Sequence, residues 1–427
     1  MRQRNTTIGF WTVQAVVIIA FAVASQRPAA GTGSTAGATR SGGAVGEVVH
    51  ITRETPLRVK PLYDDPEMVS DEDLAAVLKQ VQPRFPAKQV KPNYVEHALR
   101  IWGVDAKFRD PNVMSGEALK DFLTDHGRYL ASWKEKNVPP LLIETRGGVS
   151  VRWGKGDGSS VHHDHWLACL TEAGVNLHEP IFTPGGHQRT INEALQQALR
   201  DFRLDEREVE WSALTFGLWL PDQTTWYTTD GREVTFDRLA RRLIRGDKFS
   251  GVCLGTHRVF SMLVLLRLDD DHHILSAEVR EEIRQNLLKV KQLIIDSQFE
   301  DGHWPSNWSD GKKAVEKPVE APFYKTVIAT GHHLEWQALA PEEFLIPREQ
   351  LRKAARWVID TTVARKPAEI LEHYTFYSHV GGALSLWRST RPTEFFQAWE
   401  EKHPPEPSET GSADAPETKD AKPAADH

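Results

Sequence analysis

The sequence predicts an all-α protein, an α/α toroid of about six helical hairpins. Three observations predict it. A short, mostly apolar helix recurs six times, amphipathic helices alternate with those copies, and one position of the apolar helix is histidine in five of the six. The 427 residues are 40% hydrophobic and 26% charged, an ordinary globular composition.

The apolar copies read EHALRIWG from Glu96, HHDHWLACLTEAG from His162, EWSALTFGLWLP from Glu210, THRVFSMLVLLRL from Thr256, GHHLEWQALA from Gly331 and SHVGGALSLWR from Ser378. Aligned on His97, His165, Glu210, His257, His333 and His379, they lie 68, 45, 47, 76 and 46 residues apart. Insertions account for the two long gaps. The first, LLIETRGGVSVRW, reads as a small β-hairpin turning at Gly147-Gly148, and the second is a loop from Gly302 to Lys325.

Between the copies lie EALKDFLTDHGRYLASW, TINEALQQALRDFR, TFDRLARRLIRG, EVREEIRQNLLKVKQLIIDSQF and REQLRKAARWVIDTT, each with one charged face. A helix apolar on most sides belongs inside and an amphipathic one outside. Strict alternation of the two closes most simply into a two-layer barrel whose inner helices all point one way, which puts the recurring histidines on one rim.

The flanks differ in character. Residues 1–24 carry Arg2 and Arg4, an apolar run from Ile8 to Ala24 and Ala22-Val23-Ala24, the pattern of a secretory signal or, if uncleaved, an N-terminal membrane anchor. Either reading places the body outside the cytoplasm, in the periplasm or at the cell surface. Residues 25–47 form a flexible linker and 48–92 a lead-in segment, with Val48 to Val59 alternating like a strand and Ser70 to Gln82 opening like a helix. The toroid spans 93–392, and 393–427 is a mostly disordered acidic, Pro/Ala-rich tail.

Composition excludes some functions. With 52 basic and 59 acidic residues the net charge is −7, so no basic field exists to gather nucleic acid. Cys169 and Cys253 sit in apolar stretches and read as small buried hydrophobes; one disulfide stays open, but a disulfide framework or a cysteine zinc motif does not.

At Gln298 to Trp304 the chain reads QFEDGHW directly after an amphipathic helix, matching QxxxGxW. In this the chain resembles the terpenoid-cyclase and protein-prenyltransferase toroid superfamily, the family of the squalene-cyclase and prenyltransferase repeat. The resemblance implies structural roles for Gln298, Gly302 and Trp304, with Gln298 tying neighbouring helices and Trp304 packing the hairpin. The DxDD acid of triterpene cyclases is not reproduced; Asp269-Asp270-Asp271 reads as a solvated turn between helices. Protein prenyltransferases bind zinc through Asp, Cys and His and use a cytoplasmic diphosphate, which an exported body does not meet.

The candidate site is the histidine rim. A helix N-terminus disfavours imidazolium, so these rings are expected to be neutral and able to accept a proton or bind a metal. His165, His257, His333 and His379, with a carboxylate such as Asp164, Glu210 or Glu335, suit a divalent metal such as zinc with an open position for water. His332 and Glu335 are three apart and share a helix face, so His257, His332, Glu335 and His379 form the catalytic candidates. Tyr377 joins them because Tyr374, Tyr377 and His379 resemble the Tyr/His pairing of α/α-barrel polysaccharide lyases. In His162-His163-Asp164-His165, rings two apart on a helix point roughly 200° apart, so His163 or His165 can serve, not both. Trp102, Trp166, Trp211, Trp336 and Trp387 either pack the core or line the cavity.

The same histidines can also cap helix ends. The reading is therefore metal or acid/base chemistry, or ligand binding, at a His-lined mouth that takes a small-molecule, sugar or lipid ligand. Its alternatives are a non-catalytic toroid that binds a ligand or protein and a polysaccharide-lyase-like enzyme.

Overall fold

The computed structural model describes residues 48–133, 137–245, 249 and 251–404. The signal or anchor, the linker up to residue 47 and the tail beyond 404 lie outside them. Among the described residues no helix is long and apolar enough to cross a membrane.

The described chain is mostly helical, with small antiparallel sheets. In order it forms α1 (Asp71–Gln80), α2 (Pro92–Trp102), α3 (Gly116–Thr124), α4 (His126–Ser132), β1 (Leu142–Thr145), β2 (Gly148–Val151), α5 (His165–Glu172), β3 (Pro180–Phe182), β4 (Gln188–Thr190), α6 (Ile191–Asp201) and α7 (Glu210–Trp219). There follow β5 (Thr225–Tyr227), β6 (Glu233–Thr235), α8 (Phe236–Ile244), α9 (Thr256–His272), α10 (Ala277–Ser297), α11 (Lys312–Glu316), α12 (Tyr324–Leu339), α13 (Arg348–Val363), α14 (Pro367–Glu372), α15 (Tyr374–Trp387) and α16 (Pro392–Lys402).

The six apolar copies become α2, α5, α7, α9, α12 and α15, and their neighbours run in a circuit. Each packs against the next, and α15 packs against α2. Every residue of α7 is buried, which is why its sequence is apolar all round. The amphipathic helices sit behind: α8 buries only Phe236, Leu239, Ala240 and Leu243, one stripe at helical spacing, against α9 and α10. Their starts are encoded locally. Thr190 accepts from the Glu193 N–H in a capping box that begins α6, and Ser276 caps α10 in the same sense.

The QFEDGHW segment ties α10 to α13. Gln298 donates to the carbonyls of Gly302 (2.8 Å) and Gln350 (2.9 Å), and the buried Trp304 indole donates to Ile294 O at 2.7 Å. Gly302 has φ 105°, and a Cβ there would meet the Lys353 carbonyl carbon and oxygen at 2.5 Å.

Several expectations are corrected. Among the described residues three hairpins form, not one: β1–β2 pairs Leu142 with Val151 as the sequence indicates, but β3–β4 and β5–β6 were missed because strands of three residues carry no alternation to read. Val48–Val59 is extended without strand pairing; Val49 and Leu57 bond to Gln196 and to the Leu218 carbonyl instead. The outer helix expected over Glu117–Trp133 breaks at Asp125, which ends α3 and whose carboxylate caps α4. Asp269-Asp270-Asp271 lies inside α9, where Asp269 accepts from Arg280 at 2.6 Å and from the Leu275 N–H at 2.7 Å. Helix α16 occupies the start of the expected tail, because Phe396 packs edge-on to Trp102.

Candidate functional site

The histidines of the inner helices meet in the interior rather than at an open rim. His97, His165, His257, His332 and His379 are each 5% exposed or less. His97 and His165 are 4.6 Å apart by ring centroid, His97 and His379 5.2 Å, His332 and His379 3.9 Å, and His257 and His332 4.8 Å. Only His165 and His257 sit in a first helical turn; His97, His332 and His379 are mid-helix. Their neutrality therefore has another cause than the helix dipole. Burial pushes His97, His165, His257 and His379 well below the usual histidine value and lowers His332 to about 4.

The rings have fixed jobs. His332 Nδ1 donates to Ile328 O at 2.8 Å, which leaves Nε2 as an acceptor, and that atom lies 3.1 Å from His257 Nε2, within hydrogen-bond distance. Cys253 completes the group: its thiol and these two imidazoles bring three ligand atoms within 4.8 Å of one another. Burial pushes the thiol up to about 12. The cysteine sits in an unusual turn in which Cys253 and Leu254 are both left-handed (φ 46° and 63°) between Gly251 and Gly255, also at positive φ. Trp308 holds that turn by donating to Leu254 O at 3.1 Å, and the Thr256 hydroxyl donates to Cys253 O at 2.6 Å.

A second group of three ligand atoms within 4.8 Å is His332, Glu335 and His379. Here Arg100 intrudes. Its guanidinium donates to His379 Nδ1 at 2.9 Å and pairs with Glu335 at 2.9 Å and Glu172 at 2.5 Å. Burial works against the Arg100 charge, but Glu172 and Glu335 outweigh it. His379 Nδ1 also faces Glu335 at 3.0 Å, while its Nε2 is buried without a partner in the protein. Burial raises Glu172, with Arg100 opposing.

Beside this, Glu96, His165 and Cys169 form a line: Glu96 bonds His165 Nδ1, and Cys169 lies 3.3 Å from His165 Nε2. Burial raises Glu96 to about 8. Both cysteines are free thiols.

Arg100, Glu172 and Glu335 line a cavity of about 650 Å³. Leu214, Leu218 and Phe260 add apolar lining, and the segment 55–61 borders it as well.

The other candidates fall elsewhere. His333 points away from the cluster into a tryptophan cage, 4.6 Å from Trp308 and 5.3 Å from Trp304 by centroid, and accepts from the Trp336 indole at 3.0 Å. It thus braces the tryptophan that holds the Cys253 turn. Tyr377 faces Arg365 and Glu369 on the outer side, and Tyr374 donates to Val81 O at 3.0 Å. Glu210 accepts from the Val209 N–H, and Asp164 engages His163 and Ser212. Of the five tryptophans, Trp211 touches the cluster, 4.2 Å from His257 by centroid; all five are buried. Sequence reasoning passed over Cys253, Arg100 and Glu172. The one available signal for Cys253 was its place in GVCLGTH, between two glycines and four residues before His257.

No family model matches this chain, and no curated protein or solved structure matches it significantly.

Proposed function

We propose that the protein is an exported α/α-toroid enzyme in which Cys253, His257 and His332 hold one divalent cation of zinc type. In this reading Glu335 and His379 handle protons for a ligand bound in the large cavity. The circuit of six inner helices backed by amphipathic ones supports the toroid, and the N-terminal sequence supports export.

The observation that carries the reading is the separation of the two imidazole nitrogens, 3.1 Å, with a thiol beside them. Two nitrogens on one tetrahedral zinc stand ~3.3 Å apart, given bonds of ~2.0–2.1 Å, and three protein ligands with an open fourth position are the donor set of catalytic zinc. Charge agrees. Arg100 alone faces the carboxylates of the buried Glu335 and the half-buried Glu172 among neutral imidazoles, leaving one negative charge uncompensated; a dication with the Cys253 thiolate adds one positive charge and closes the balance. Arg100 occupies the second group of ligands, so a single ion is expected. When bound, such an ion supplies Lewis acidity or an acidified water. His379, between Arg100 and Glu335, holds a ring whose Nε2 is free to give or take a proton.

The test is the metal content of protein purified without chelators. About one zinc-type ion per chain, lost in both Cys253→Ser and His332→Ala, is expected. A folded, metal-free wild type that takes up none on titration contradicts it.

A further inference from the structure

We propose that residues 55–61 are the gate of the large cavity, a strap clamped at both ends whose middle opens to admit the ligand. This rests on the reading that the large cavity is where a ligand binds. All six inner helices line that cavity, through Arg100 of α2, Glu172 of α5, Leu218 of α7, Phe260 of α9, Glu335 of α12 and Leu386 of α15. Every residue from Thr55 to Pro61 lines it too, and none of the seven is buried. A segment that faces the cavity along its whole length and still reaches solvent is a wall between the two.

Both ends of the strap are held firmly. Upstream, Gln196 bonds the Val49 N–H at 3.0 Å and the Val49 carbonyl at 2.7 Å, Asp222 accepts from Thr52 and Arg53, and the Leu177 N–H donates to Glu54 O at 2.7 Å. Downstream, the Leu62 N–H donates to Ala338 O at 3.1 Å and the Asp65 N–H to Trp387 O at 2.8 Å. Tyr63 adds a bond to Ala340 O at 2.7 Å and stacks on Trp387 at 5.3 Å.

Between those anchors the attachments thin out. Among the described residues, one main-chain bond joins 55–61 to the body, from the Leu57 N–H to Leu218 O at 2.9 Å. One side chain follows, Arg58 to Glu172 O at 3.4 Å, longer than the usual ~2.7–3.2 Å. A stretch with few bonds between two well-bonded ends opens locally at less cost than the body unfolds. Pro56 and Pro61 stand near its limits with fixed φ and no N–H to donate, so the positions free to rotate are Leu57 to Lys60. The latch also meets the charged cluster. Glu172 gives its carbonyl to Arg58 and its carboxylate to Arg100, so the gate closes on the residue that holds Arg100 at the cavity.

Two readouts on the full chain test the gate, and neither needs an ion or a ligand, so it can fail while the metal assignment holds, and the reverse. Residue-resolved hydrogen exchange compares three main-chain donors. Leu57 is expected to exchange roughly tenfold or more faster than Leu62 and Leu177, whose bonds are the anchors. Access to the cavity is read with Val264→Cys, at a lining position that is 2% exposed, labelled by N-ethylmaleimide. Cys169, 0% exposed, reports opening of the body in the same sample. The introduced thiol is expected to react roughly tenfold or more faster than Cys169, and Arg58→Ala to raise its rate further while leaving that of Cys169 unchanged. The gate is overturned if Leu57 exchanges no faster than the two anchors, if the introduced thiol reacts no faster than Cys169, or if Arg58→Ala leaves its rate unchanged.

Discussion

Cys253, His257 and His332 on one side, and His332, Glu335 and His379 on the other, each bring three ligand atoms within 4.8 Å, yet only the second group already contains a cation. Arg100 reaches both Glu335 and His379 at 2.9 Å. Convergence of the right residue types is therefore not sufficient for a metal site. What separates the two groups is whether the protein already provides the positive charge.

The largest effect comes from removing that charge. Arg100→Met leaves the buried Glu335 and the half-buried Glu172 without a cation and is expected to cost ~3–5 kcal/mol in chemical denaturation of the full chain. A loss under ~1 kcal/mol would mean that the carboxylates are not held as charged groups and that the contrast between the two triads fails. Next is the brace behind the first triad. Trp308→Phe keeps an aromatic ring, smaller than the indole, but removes the donor to Leu254 O, and it is expected to weaken ion binding by ~10–100-fold, as loss of outer partners does. Competition with a chromophoric chelator measures this. An unchanged affinity would show that the Cys253 turn stands without Trp308. The fold itself is probed by Gly302→Ala, whose methyl group has no space against Lys353 and whose φ of 105° is strained for any side chain; a loss of ~1–3 kcal/mol is expected.

The smallest effect is in pH. His97 is held neutral first by burial and next by His165, so its folded value lies below 6.5 while the unfolded value does not. The stability that depends on its neutrality is complete above pH 6.5 and is lost as pH falls below it. His97→Gln should make the acid limb of the stability curve shallower by about one proton, ~1.4 kcal/mol per pH unit. An unchanged slope would mean that His97 titrates normally.

The sequence reading recovered what is periodic. The six apolar helices were visible because burial on most sides leaves little polar stripe, complete in α7, and the recurring histidine was visible because it repeats in register. Neighbours on a helix were not resolvable from spacing of the copies alone: His332 and His333 differ by ~100° of rotation, and one faces His257 while the other enters the cage of Trp304 and Trp308. Cys253 was hidden because a buried thiol and a small hydrophobe have the same surroundings in sequence, and because left-handed backbone at Cys253 and Leu254 has no residue signature. Arg100, Glu172 and Glu335 come from three helices, so their shared charge exists only after the circuit of helices closes.

The central claim is tested most directly by X-ray absorption at the metal edge of the full-length, chelator-free protein. The expected spectrum contains one sulfur at ~2.3 Å and nitrogen or oxygen scatterers at ~2.0–2.1 Å, with the sulfur shell lost in Cys253→Ser. A bound ion with no sulfur neighbour, or a sulfur shell that survives in that variant, would contradict the assignment.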